Sequence, residues 1–262
     1  MKWQAACCFV EQHLHGPEPS LSVASDFRAC LSMLPWEGNV SGFMDYSPIS
    51  KLAQFASRSW LCDNNINFAL ELILRQIKSS LILAPFCDIL QTYFVNKLKT
   101  MFESCHQKDY FRADDCSQLR EIGQDIADGT KTVGMTCFVH SNHWLSLVID
   151  GSRHTIYFGD SFGCHEAPDS ICHAVEWWLA LHTPVLFVWQ PLACTHQQDQ
   201  YSCGILAVNA IAHHFLPETY PLLSPDCNAL DGARMQFGVA IIDTHLRTLS
   251  VRIIFLSSVI IY

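Results

Sequence analysis

Apolar positions in this chain take up a helical period only from about residue 60 onward. Behind Asp63, a good helix N-cap, Ile66, Ala69, Leu70, Ile73 and Ile77 fall on one face. A short apolar run over 80–85 follows, and the pattern over 87–102 reads as a second helix. Leu119, Ile122 and Ile126 mark a third, ended by Gly129. The period then shortens. Residues 133–140 are rich in β-formers, 143–149 alternate, and 155–158 make a third strand after the turn Asp150-Gly151-Ser152. A helix over 170–182, a strand over 185–189 between Pro184 and Pro191, and a polar loop over 193–202 come next. Cys203-Gly204 then opens a buried helix carrying Ile205, Val208, Ala212 and Phe215, and a last helix is expected over 233–249. Helices on either side of a run of strands predict an α+β domain with a mostly antiparallel sheet.

Two stretches lack this patterning. Residues 1–45, with Pro17, Pro19, several serines and Trp36, read as an irregular arm before a domain spanning 46–249. Residues 250–262 read as an apolar tail of unassigned role, far short of the roughly 20 residues that a membrane span needs. No membrane association is expected.

Composition narrows the function. The chain has 262 residues, half of them apolar, enough to bury a full core. With 16 Lys and Arg against 25 Asp and Glu, and no basic block, its net charge of -9 argues against nucleic-acid binding. A partner with a basic face suits it better. The 13 cysteines contain no C-x-x-C and are scattered, which reads as reduced core thiols in an intracellular protein. A zinc reading from Cys164-His165, Cys172-His173, Cys194 and His196 fits no usual ligand spacing, so neither metal nor cofactor is expected.

Three places carry candidate chemistry. His143 starts a strand, Asp160 ends the next, and Cys203 stands at a loop-to-helix junction. The turn over 150–154 brings the ends bearing His143 and Asp160 to one sheet edge. Helix N-termini favour anions, and a thiolate near an imidazolium is a strong acyl-transfer nucleophile. Cys, His and an orienting acid are the parts of a thiol hydrolase. Taken singly, each residue is more often structural: a core cysteine, a half-buried strand histidine and a common turn Asp-Ser.

Four motifs in order go further. Trp60-Leu61-Cys62-Asp63-Asn64-Asn65-Ile66-Asn67 resembles the W-L-x-D-x-x-I-N signature of the SUMO-specific (sentrin) proteases, ubiquitin-like-modifier proteases among the adenain-like cysteine peptidases. His143-Trp144 is similar to that family's H-W, and Asp160-Ser161, 17 positions on, to its D-S. The stretch from Gln197 to Gly204 resembles its Q-x-x-x-x-[SD]-C-G block. Ser202 stands where many members have Asp.

The resemblance implies a papain-like, adenain-like fold with the catalytic Cys at a helix N-terminus. It implies Cys203 as nucleophile, His143 as general base and acid, Asp160 as its orienting partner and Gln197 as oxyanion donor, with Gln198 as the neighbouring alternative for that role. It also implies that Trp60 and Trp144 form a tunnel over a Gly-Gly tail and that Asp63 contributes to binding the modifier. The expected protein is a monomeric, cofactor-free peptidase of the nucleus or cytoplasm that matures or deconjugates a SUMO-like modifier. The competing expectations are a polyprotein-processing protease and a catalytically silent modifier-binding module.

Overall fold

The structure is a computed structural model that describes residues 2–16, 20–35, 37–104 and 107–259. Its helices and strands, in chain order, are α1 (Lys2–His13), α2 (Ser20–Met33), α3 (Asp63–Ser79), β1 (Cys87–Ile89), α4 (Tyr93–Ser104), α5 (Gln107–Arg112), α6 (Ser117–Ala127), β2 (Thr132–Val139), β3 (His143–Asp150), β4 (Thr155–Gly159), α7 (Asp169–Ala180), β5 (Val188–Pro191), α8 (Cys203–Phe215) and α9 (Cys227–Val259). They fall into two compact units. One comprises residues up to Leu72, Gln198–Ile205 and everything from Leu223 on; the other comprises Ile73–Gln197 and Leu206–Leu222.

Unit 1 holds the main corrections to the sequence reading. The irregular arm expected over 1–45 is instead largely two helices. Their buried faces run Trp3, Ala6, Val10 and His13 in α1, and Ala24, Phe27, Cys30 and Leu31 in α2. That spacing is helical, but small and polar residues fill it, so the apolar stripe is faint in the sequence. Pro17, Pro19 and Trp36 lie outside the described residues. The helix expected over 233–249 starts at Cys227, where Asp226 Oδ1 accepts the N–H groups of Asn228 (2.9 Å) and Ala229 (3.2 Å) as a cap. It runs on to Val259, so most of the expected tail is its last turns. Residues 260–262 lie outside the described residues.

The unit packs around α2, α9 and a 3₁₀ stretch, Ile49–Ala56, whose Leu52 and Phe55 are fully buried. A Cβ added at Gly238 of α9 would collide with the Phe27 ring, so this glycine sets how closely α2 and α9 approach. Asp231, also on α9, is buried and accepts Arg58 Nη2 (2.9 Å) and His13 Nε2 (3.2 Å), which offset the cost of burying its charge.

Unit 2 is a five-stranded sheet in the order β1-β2-β3-β4-β5. The central pairs are antiparallel: Val139 faces His143 across β2 and β3, and Ser146 faces Gly159 across β3 and β4. Both edge strands join in parallel. All eight residues of β3 are buried, because elements cover the sheet on both faces. On one face Met135, Leu147, Ile149 and Phe158 pack into a core with Leu98 and Trp178. The Trp178 indole donates to Tyr110 Oη (3.1 Å) and to the Leu119 carbonyl (3.0 Å), and its ring meets Phe94 edge-on at 5.5 Å. On the other face, a Cβ at Gly134 would strike Ile211 and Phe215 of α8.

Two elements differ from expectation here. The helix read over 87–102 begins only at Tyr93, since Cys87–Ile89 pairs with Thr132–Gly134 as β1. An apolar run that short fits either period, and tertiary pairing decided it. The strand read over 185–189 is Val188–Pro191, an edge strand in which Pro191 needs no ladder donor.

Candidate active site

Unit 2 presents a histidine, a carboxylate and an amide from neighbouring strand ends. His143 is the first residue of β3. It follows a tight turn in which the Asn142 N–H donates to the Val139 carbonyl (3.1 Å) and both central residues, His140 (φ 51°) and Ser141 (φ 60°), are left-handed. Such a turn matches the twist of a hairpin but strains side chains other than Gly and Asn, and strain of this kind clusters at functional sites. The imidazole is 7% exposed, donates from Nε2 to Asp160 Oδ1 at 2.7 Å and stacks on the Phe162 ring at 4.3 Å. Ring orientation is thus fixed both along its edge and across its face.

Asp160 directly follows β4. Burial pushes its carboxyl up, but hydrogen bonds from His143, the Phe162 N–H and the Cys164 thiol outweigh that and hold it below the usual carboxylate range. The carboxylate is therefore ionised at neutral pH and able to stabilise an imidazolium. The Phe162 N–H bond is 2.8 Å long. Burial, followed by the Asp160 charge, pushes the nearby Cys194 thiol up to about 12, so it is no competing nucleophile.

Gln197 is half-buried and held twice by Ser161. Its backbone N–H donates to the Ser161 carbonyl (2.8 Å), and its side-chain Oε1 accepts the Ser161 hydroxyl (2.7 Å). Gln198, the alternative candidate, is exposed.

Unit 1 presents the cysteine. Cys203 is the first residue of α8 and is 1% exposed. The loop before it is wound on Asp199, whose Oδ1 accepts the N–H groups of Tyr201 and Ser202 (both 2.8 Å) and whose Oδ2 accepts the Ser202 hydroxyl (2.6 Å). An Asx turn of this kind fixes the entry to a helix without backbone partners. It also bears on Ser202, where the family pattern often has Asp: a carboxylate still meets this position, from three residues upstream. Arg234 of α9 supports the same loop. Its guanidinium is fully buried and donates to the carbonyls of Gln54 (2.9 Å), Ser59 and Tyr201 (3.5 Å), and it lies over the Tyr201 ring. Burial pulls its pKa down to about 10, partly countered by Asp231.

The expected substrate residues separate. Trp60 is 47% exposed and its indole donates to the Gln200 carbonyl, tying it to the loop before Cys203. Asp63 is exposed at the first turn of α3. Trp144, expected at the mouth of the site, is instead 2% exposed and packed on Phe138 at 4.8 Å. It lies in a strand covered on both faces, and a large indole beside Phe138 buries area rather than leaving it in water. Sequence reasoning passed over Ser161, Phe162, Asp199 and Arg234. Ser161 and Asp199 stand inside motifs already singled out, Phe162 directly follows one, and an Asp three residues before a Ser was a readable Asx-turn signal. Nothing local marked Arg234. No group of three or more His, Cys, Asp or Glu among the described residues is arranged to hold a metal ion.

A carboxylate-held histidine, a fixed amide and a cysteine opening a helix are the components of a thiol hydrolase. Residues 59–238 match the Ulp1 protease family, C-terminal catalytic domain, and the chain belongs to that family. Among solved structures it is similar to the C-terminal Ulp1 protease domain in complex with Smt3, the yeast ortholog of SUMO, with 19% identity over 84% of this chain and 95% of that one and a TM-score of 0.56. It is also similar to the Chaetomium thermophilum Ulp1-like SUMO protease catalytic domain, with 14% identity over 85% and 89% of the two chains and a TM-score of 0.62. A third is the SUMO protease Ulp1 with its catalytic cysteine oxidised to a sulfonic acid, with 19% identity over 87% and 97% and a TM-score of 0.60. No curated protein matches the chain.

Proposed function

We propose that this chain is a cysteine peptidase that cleaves after the C-terminal Gly-Gly of a SUMO-like modifier, maturing it or releasing it from conjugates. The observation that carries the reading is the His143–Asp160 pair in a chain of this family that keeps Cys203 at a helix start. With Nε2–H committed to Asp160, the neutral ring carries its basic lone pair on Nδ1.

Nδ1 takes the Cys203 thiol proton, and the thiolate attacks the glycine carbonyl carbon. The electron pair of the C=O moves to oxygen, where the Gln197 amide N–H donates to the developing charge. Collapse breaks the C–N bond, and the imidazolium returns its proton to the departing amine. Water, deprotonated by the same imidazole, then hydrolyses the thioester and regenerates the thiol. Acidic, exposed Asp63 suits a basic side chain on the modifier, as does the chain's net charge of -9.

Purified protein is expected to cleave a Smt3 reporter ending in Gly-Gly, and Cys203→Ser is expected to abolish turnover. A Gly-Ala ending should not be cut, because a Cβ obstructs close backbone approach at the scissile residue. Equal cleavage of both endings would replace this reading with a polyprotein-processing protease. Absence of cleavage, with the Smt3 domain still bound, would replace it with a silent binder.

A further inference from the structure

The dipeptide Asp160-Ser161 serves two functional groups at once. The Asp160 carboxylate holds the His143 ring, while Ser161 holds Gln197 by both its carbonyl and its hydroxyl. Ser161 is 2% exposed, so its hydroxyl bond is made away from competing water. We infer that Ser161 is a positioning residue that selects the donor face of the Gln197 amide, an inference that rests on the oxyanion role proposed for Gln197.

The physical problem is specific to an amide. The last torsion of a glutamine is broad and nearly two-fold, so a free amide presents oxygen about as readily as NH₂. Oxygen aimed at a developing oxyanion repels it; only the NH₂ face stabilises the charge. In the structure the Ser161 hydroxyl donates to Oε1, which turns the NH₂ end of the same amide away from Ser161, and a reversed amide would have to break this bond and re-form it with the hydroxyl as acceptor. The backbone bond from the Gln197 N–H to the Ser161 carbonyl, 2.8 Å, fixes the origin of the side chain relative to the same residue. Two anchors on one residue leave the amide little freedom, and the ordering entropy of a long polar side chain is met before substrate arrives. The same dipeptide thus sets the protonation geometry and the oxyanion geometry together.

The test uses the full chain, the Smt3–aminomethylcoumarin reporter and, separately, carboxamidomethylation of Cys203 by iodoacetamide, followed on its own peptide by mass spectrometry. Alkylation develops no oxyanion, so it reports the thiol and its histidine without Gln197. Ser161→Ala should lower kcat by roughly 10–10²-fold, less than loss of the donor itself, with KM little changed. Cys203 alkylation should keep its wild-type rate, and Ser161→Thr, which retains the hydroxyl, should recover most of kcat. In a Gln197→Ala background the serine change should add less than about twofold, as expected for coupled groups. A wild-type kcat in Ser161→Ala overturns the positioning role while leaving the proposed function standing. A parallel fall in alkylation overturns it too, by showing general damage to the site. A wild-type chain that cannot cleave the reporter removes the proposed function and this inference with it.

Discussion

The histidine-bearing and cysteine-bearing regions are positioned by different physics. In unit 2 the functional groups sit at strand ends, and the sheet does most of the placing. The pairs Val139–His143 and Ser146–Gly159 set where His143 and Asp160 emerge, and one 2.7 Å bond then joins them. Among the described residues of unit 1, no ladder reaches the loop before Cys203. Its shape comes from one carboxylate turning the backbone on itself, one buried guanidinium holding carbonyls from separate segments and the Trp60 indole donating to the Gln200 carbonyl. Register is distributed over many bonds, whereas the loop depends on a few side chains. Damage to the first region should therefore be chemical and local, and damage to the second structural and spread over the unit.

The largest effect that sharpens this contrast comes from Asp160→Ala. It leaves the ladder intact but removes the acceptor that orients His143, so kcat should fall by roughly 10³–10⁴ with a cooperative unfolding transition retained. Arg234→Met should do the reverse. It keeps the volume but strands the carbonyls of Gln54 and Ser59, costing about 2–4 kcal/mol in urea unfolding, with activity lost in proportion to the unfolded fraction. An Arg234→Met protein as stable as wild type would show that the loop holds its shape without the guanidinium.

The contrast also explains what was legible in the sequence. His143, Asp160 and Cys203 could be placed at a strand start, a strand end and a helix start because period-2 and period-3.6 patterns break at those positions. The turn before His143 could not be foreseen, since His140-Ser141 is not the Asn-Gly that its left-handed backbone favours. Nor could Arg234, whose partners lie 175 and 180 positions away in the chain and whose neighbours show no special pattern. Trp144 illustrates the opposite failure. Its motif suggested a lining residue, yet burial in β3 followed from covering both faces of the sheet, which a single strand does not disclose. Helices α1 and α2 escaped notice because alanine, cysteine and histidine occupy part of their buried faces.

A smaller effect separates two of the supports within unit 1. Asp199→Ala removes three hydrogen bonds that wind the loop onto itself. Loss of a capping carboxylate costs about 1 kcal/mol, so the fold should survive. The cost should fall on turnover instead, as a several-fold loss of kcat that Asp199→Asn partly restores, because the carboxamide oxygen still accepts the two backbone N–H groups. Equal stability loss in Asp199→Ala and Arg234→Met would merge the two supports into one.

The smallest expected effect concerns pH and tests whether the histidine-bearing region is held by charge as well as by register. Burial alone would raise the Asp160 carboxyl, yet hydrogen bonds from His143, the Phe162 N–H and the Cys164 thiol hold it below its ordinary value. A carboxyl lowered on folding contributes stability that is fully present above its unfolded pKa of about 3.9 and is lost as pH falls through the folded value. Wild type should thus unfold at higher urea than Asp160→Asn at pH 6, and the gap should close as the pH is brought down through that window. Carboxylates common to both proteins titrate in both and cancel in the difference, which leaves the coupled Asp160–His143 pair. Asparagine keeps an oxygen that can accept from His143, so the part of the gap that varies with pH reports the charge and the constant part reports geometry. A gap that stays constant from pH 6 to below pH 3 would mean that strand register alone places the residue, and that its ionisation matters only once an imidazolium forms during turnover.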